Sequence, residues 1–293
     1  MKSFLRNVSL LLAVTVILAS AGCSKGSSGG SSVSSDTTAA VETSETTEAS
    51  ETSDASGSEE TSATAATSGS ETSADNGDVL TIDGMLSGAT DSGVRIYDDY
   101  STFLDDYNKL FAGDQQTVED YKNGFGIRIN GHDKAMQMVK DIGDGSNRDD
   151  DFLAHLSELG YIMAGDLDTK AYTVVVLVYK MDDEQTGNGW YDSSVDDFEK
   201  DMAEYRDTKD IDLKTKRLEE NGTKSFLYKY TINNDAAQAQ GYPADSGTFG
   251  GVYISGDKCM FATVVDLDAD HRGIAIMRSV CNSMGVKNPF DDI

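Results

Sequence analysis

Apolar positions in the chain beyond residue 100 recur with two periods. Helical spacing marks STFLDDYNKLFA (101–112), where Phe103, Tyr107, Leu110 and Phe111 share a side, Ser101 can cap the start and Gly113 follows the end. The same spacing over DDDFLAHLSEL (149–159) aligns Phe152, Leu156 and Leu159, with Asp residues at the positive N-terminus and Gly160 as the stop. A further helix is expected from about 194 to 206, capped by Ser194, with Val195, Phe198, Met202 and Tyr205 on one face. The closing helix is expected over 273–284. Ile274, Met277, Val280, Cys281 and Met284 point inward, Gly285 ends it and Pro289 prevents its resumption.

Period-two and continuous apolar stretches lie between these helices. Phe125, Ile127 and Ile129 alternate within GFGIRING as in a half-buried strand. YIMAGDLDTKAYTVVVLVYK reads as a hairpin whose second arm, Tyr172 to Tyr179, has the β-branched density of a central strand. DDEQTGNG then reads as a polar turn leading to Trp190 and Tyr191. IDLKTKRL and KSFLYKYTI flank the Asn221-Gly222 turn signal, and GTFGGVYIS and KCMFATVVD flank Gly256-Asp257. The fold class is therefore α+β: a mostly antiparallel sheet with flanking helices. In element order, residues 121–286 resemble the PsbP/Mog1-like α/β/α sandwich. The resemblance leaves 79–120 and the helix near 149–159 uncovered. It implies an accessory binding or assembly module rather than an enzyme.

The N-terminal pattern differs. Lys2 and Arg6 precede an apolar run from Val8 to Ala19, too short for a span of roughly 20 residues, and Ala21-Gly22 offers a small-residue cleavage site before Cys23. The segment resembles a bacterial lipoprotein signal with Cys23 as the lipidated residue, although Ser20 stands where that pattern usually has Leu. The resemblance implies palmitate-type acylation, removal of residues 1–22, and a place on the outer face of the cell membrane, as in a Gram-positive envelope. Residues 24–78 hold no aromatic residue, Leu, Ile, Met or Pro, and Ser, Thr and Glu dominate them. Such a composition cannot offset its ordering entropy, so a disordered tether is expected, about 40 Å in root-mean-square span. A single folded domain is expected over 79–293, with its core at about 121–286.

The net charge of −27 disfavours nucleic acid and anionic head groups, so membrane contact is expected through the lipid alone. Beyond Cys23 there are Cys259 and Cys281, with no CxxC motif. The compartment permits a disulfide between them, whereas their apolar neighbours suit two buried free thiols.

Candidate chemistry is sparse. His132, His155 and His271 have no ligand spacing among themselves, and each reads as a surface histidine, His155 on the polar edge of its helix. No GxSxG or SxxK motif occurs, and no carboxylate pair is singled out. Asp266, Asp268 and Asp270 in DLDAD suit calcium by local spacing. The loop departs at once, with His271 where a turn Gly is needed and Met277 where a bidentate Glu is needed. A second acidic group, Asp141, Asp144, Asp149, Asp150 and Asp151, also fails that spacing. Trp190 and Tyr191 could stack on a sugar or anchor a partner, or pack over the next helix as a staple. The reading is a non-catalytic, lipid-anchored module with a protein or cell-envelope partner and no cofactor. The alternative is an extracytoplasmic enzyme with a carboxylate-based site acting on cell-wall glycan.

Overall fold

The structure is a computed structural model that describes residues 79–111, 124–142, 150–165, 171–203, 211–233 and 241–293, with 206, 235 and 239 besides. The signal, Cys23 and the tether lie outside the described residues, as do Gly113, Asp144, Asp149 and Tyr205. Chain contacts divide into two units; the described residues belong to one, and the other, Ser24–Asn76, lies outside them.

In chain order the elements are α1 (Ile82–Asp91), β1 (Arg95–Tyr97), α2 (Tyr100–Phe111), β2 (Phe125–Asn130), α3 (His132–Ile142), α4 (Asp150–Ala154), β3 (Leu156–Gly165), β4 (Tyr172–Met181), α5 (Glu184–Ala203), β5 (Ile211–Glu220), β6 (Thr223–Ile232), β7 (Gly247–Ser255), β8 (Lys258–Asp266) and α6 (Arg272–Ser283). The strands form an eight-stranded sheet in the order β1-β2-β3-β4-β8-β7-β6-β5. Only β1 and β2 run parallel among these pairs; the others are antiparallel. The α+β class holds, and β4 is interior, between β3 and β8.

Alternate residues of each strand feed two cores. On one face Ile127, Leu159, Tyr161 and Phe261 meet Phe103 of α2, Met138 of α3 and Val195 and Phe198 of α5. On the other, Ile162, Val174, Val176 and Val264 meet Met85 and Ala89 of α1 and Ile276, Met277 and Val280 of α6. Covering both faces explains the near-continuous burial along β7 and β8. The hairpin turns form as their residues dictate: Asn221 and Gly222 take φ of 52° and 75°, and Gly256 takes 58°. Gly250 sits between Tyr228 of β6 and Thr263 of β8 in register. A Cβ there would lie 2.3 Å from the Tyr228 hydroxyl and 2.4 Å from the Ala262 carbonyl, so glycine is what lets the tyrosine ring lie across β7.

Several expectations are corrected. The helix of 149–159 stops at Ala154, and Leu156, Leu159 and Gly160 belong to β3. Pairing with β2 and β4 outweighs the local helical spacing there. The polar turn DDEQTGNG is instead the first part of α5, which begins ten residues before Ser194. Its cap is Asp183, which accepts from the Thr186 N–H at 2.8 Å and the Thr186 hydroxyl at 2.7 Å. Asp99, not Ser101, caps α2 through Thr102 at 2.7 Å. The core also starts well before residue 121: Leu80, Met85, Ala89 and Phe103 are buried at 0–1 % exposure.

Candidate functional site

Where β3 begins and β4 ends, the two strands lie side by side, with Leu156 paired to Met181. The residues just outside that pair meet as well: the Asp182 N–H donates to the His155 carbonyl at 2.8 Å. His155 fills the step between α4 and β3, and Asp182 and Asp183 the step between β4 and α5. An aromatic floor locks the three segments together. Trp190 of α5 stacks on Phe152 of α4 with centroids 5.9 Å apart, and both rings pack on Tyr179 of β4.

The His155 Nδ1 lies 2.6 Å from Asp182 Oδ1 and 3.1 Å from Asp183 Oδ2. The three side chains are partly exposed, at 38, 58 and 38 %. Asp183 is held below the usual carboxylate range, first by the Thr186 N–H, then by the Thr186 hydroxyl, with the His155 charge adding to them. This is the one group of three His, Cys, Asp or Glu side chains among the described residues whose donor atoms converge tightly enough for a metal ion, all within 4.8 Å. Sequence reasoning missed it because the imidazole and the carboxylates stand 27 residues apart. The signal available was local: an Asp three residues before Thr186 is a cap signature, masked by Gly187 and Gly189.

The residues singled out from sequence fall elsewhere. Asp266 is fully buried, and its oxygens accept from the N–H groups of Asp268 (3.0 Å) and Ile274 (2.9 Å). Asp268 accepts from the Arg272 Nε at 2.6 Å and the Arg272 N–H at 3.2 Å, and the Arg272 side chain chiefly holds its carboxyl low. Asp270 is exposed. DLDAD thus fastens the start of α6, through one Asp266 oxygen on Ile274 and one Asp268 oxygen on Arg272. Of the second acidic group, Asp141 lies in α3 and Asp150 and Asp151 in α4. Trp190 and Tyr191, at 7 and 5 % exposure, sit within α5 and its core instead of in a turn, which removes their rings as a stacking surface. Neither His132 nor His271 is isolated: His132 opens α3 with its Nδ1 2.9 Å from the Leu156 carbonyl, and the His271 Nδ1 stands 3.4 Å from Asp266.

The remaining charged groups brace the fold. Arg128 joins Asp83 (2.7 Å) and Glu158 (2.8 Å), and Glu158 also meets Lys180 (2.8 Å). The carboxyls of Asp99, Glu158, Asp183, Asp268 and Asp291 are each held below the usual carboxylate range by hydrogen bonds and ion pairs. No helix among the described residues is long and apolar enough to cross a membrane.

No protein-family model matches the chain, and no curated protein matches it. Among solved structures, the extracellular domain of PknH from Mycobacterium tuberculosis is similar at 8 % identity and a TM-score of 0.28, over 46 % of this chain and 69 % of that one. A likeness at that level carries no inference about fold or function.

Proposed function

We propose that this chain is an extracytoplasmic binding module, held by lipid on Cys23 at the outer face of a Gram-positive-type membrane and carried on its acidic tether. Its folded part is a PsbP/Mog1-like sandwich that binds a protein or cell-envelope partner without catalysing a reaction on it. The anchoring half of this reading is carried by the N-terminal layout: a basic start, a short apolar run, Ala-Gly and then Cys23. The binding half is supported by the use made of the carboxylates. A glycan-cleaving acid needs a carboxyl raised toward neutrality, whereas Glu158, Asp183 and Asp268 are held low by caps and ion pairs. The two-sided covering of a mostly antiparallel sheet supports the fold.

The anchor is tested by metabolic labelling with a palmitate analogue in a bacterial host. The full chain should take up label and sediment with membranes, and Cys23→Ser should be unlabelled and released to the medium. An unlabelled, cytosolic wild-type chain would sink the proposal. A labelled chain that cross-links to no envelope component on intact cells would keep the anchor and remove the binding role.

A further inference from the structure

We infer that His155, Asp182 and Asp183 form a binding site for a zinc-like divalent transition-metal ion. Three observations lead there. The imidazole nitrogen faces two carboxylate oxygens at once, at 2.6 and 3.1 Å. Among the described residues neither aspartate ion-pairs with a Lys or Arg, so the two carboxylates, whose donor atoms lie within 4.8 Å of one another, have this histidine as their one cationic side-chain partner, beside the Thr186 bonds to Asp183. The scaffold is already set, since the Asp182 N–H donates to the His155 carbonyl and the Phe152–Trp190 stack ties α4 to α5, the helices flanking the two steps.

The donor set selects the class of ion. One nitrogen and two carboxylate oxygens suit zinc and its neighbours, whereas calcium asks for six to eight oxygens. Around an ion with bonds of about 2.0 Å, tetrahedral donors stand about 3.3 Å apart. The His155–Asp183 separation of 3.1 Å is already near that spacing, and the His155–Asp182 separation of 2.6 Å would open by about 0.7 Å. Charge favours entry: the α5 N-terminus contributes roughly half a positive charge, against two full carboxylates. The proton that Nδ1 gives up passes to Nε2 or to solvent, and the neutral imidazole then donates its lone pair to the ion. Three protein donors leave a fourth position open on the exposed side, where water or a ligand atom from a partner can bind. The inference rests on the folded part and is independent of the anchoring proposal.

The test uses the full chain, stripped of metal, with Zn²⁺ titrated by calorimetry, Co²⁺ followed by its visible absorption, and melting temperature recorded with Zn²⁺ or Ca²⁺. His155→Ala and Asp182→Asn are compared with the parent, their fold checked by melting in EDTA. The expected result is one saturable zinc site that raises the melting temperature and gives a tetrahedral cobalt spectrum. Either substitution should weaken it at least tenfold, and Ca²⁺ should have no effect. Absence of saturable zinc binding would overturn the inference. So would binding that survives both substitutions, which would place the ion on other acidic residues, or a calcium response matching that of zinc.

Discussion

Glu158 shows how single residues in this protein convert charge into stability. Its oxygens meet Lys180 and Arg128, each at 2.8 Å, and these partners hold its carboxyl below the ordinary glutamate value of 4.5, the Lys180 bond first. A depressed folded-state pKa stabilises the fold fully above the unfolded value, and the contribution is lost as pH falls through the folded one. Arg128 and Lys180 are 36 and 40 % exposed, so solvent screening keeps the contribution to about 1 kcal/mol. Glu158→Gln should therefore lower the melting temperature at pH 7. The gap to the parent should begin to narrow below about pH 4.5 and close as pH falls through the lowered folded-state value, as followed by circular dichroism. A gap that stays constant across that range would show that the pair does not act through ionisation.

At the level of elements, the α1–α6 contact is set by small residues. Gly84 and Gly88 fall four apart on one side of α1, and the Ser279 hydroxyl of α6 donates to the Gly88 carbonyl at 2.8 Å. A Cβ on Gly88 would lie 2.6 Å from the Ser279 carbonyl and 2.7 Å from the Val280 Cα, both backbone atoms that cannot swing aside. Gly88→Ala should cost about 1–3 kcal/mol, read as a lower urea midpoint, despite alanine's better helix propensity. A neutral or stabilising result would mean that the helices separate freely. These glycines also account for what was hard to read in the chain. Hairpins with Asn221-Gly222 or Gly256-Asp257 between apolar runs announce themselves, because turn geometry and alternation are local. Gly84 and Gly88 in α1, and Gly187 in α5, look like breaks, since what they provide is close approach to a partner distant in the chain. At Gly187 that partner is Cys259, whose Sγ would be 3.2 Å from an added Cβ. Leu156 and Leu159 were misread for a related reason: helical spacing is local, and the strands that claim them are not. The His155–Asp182–Asp183 group was invisible on the same ground.

In the molecule as a whole, the sheet is a wall between two cores, and the cysteines stand on opposite sides of it. Cys259 belongs to the core under α5, and Cys281 to the core under α1 and α6. Both are buried free thiols, which decides between the two readings their sequence context allowed. A bridge needs Cα atoms within about 7 Å with Cβ vectors facing each other, whereas Cys259 projects from β8 into the α5 core and Cys281 of α6 belongs to the core on the other side of the sheet. Burial pushes each thiol up to about 12, with Asp257 reinforcing the effect at Cys259 and the Tyr253 hydroxyl easing it at Cys281. An uncharged thiol behind either helix layer is a poor nucleophile, whatever the redox state outside. With the Cys23 thiol acylated or replaced, the folded chain should therefore show no thiol reactive toward a disulfide reagent at pH 8 on the timescale of minutes. In denaturant both thiols should react together. Because each core depends on the opposite face of the same strands, intermediate denaturant should release Cys259 and Cys281 in a single transition matching the loss of circular dichroism. Release of Cys281 first would instead mean that the α1–α6 layer opens on its own, leaving the sheet and the α5 layer in place.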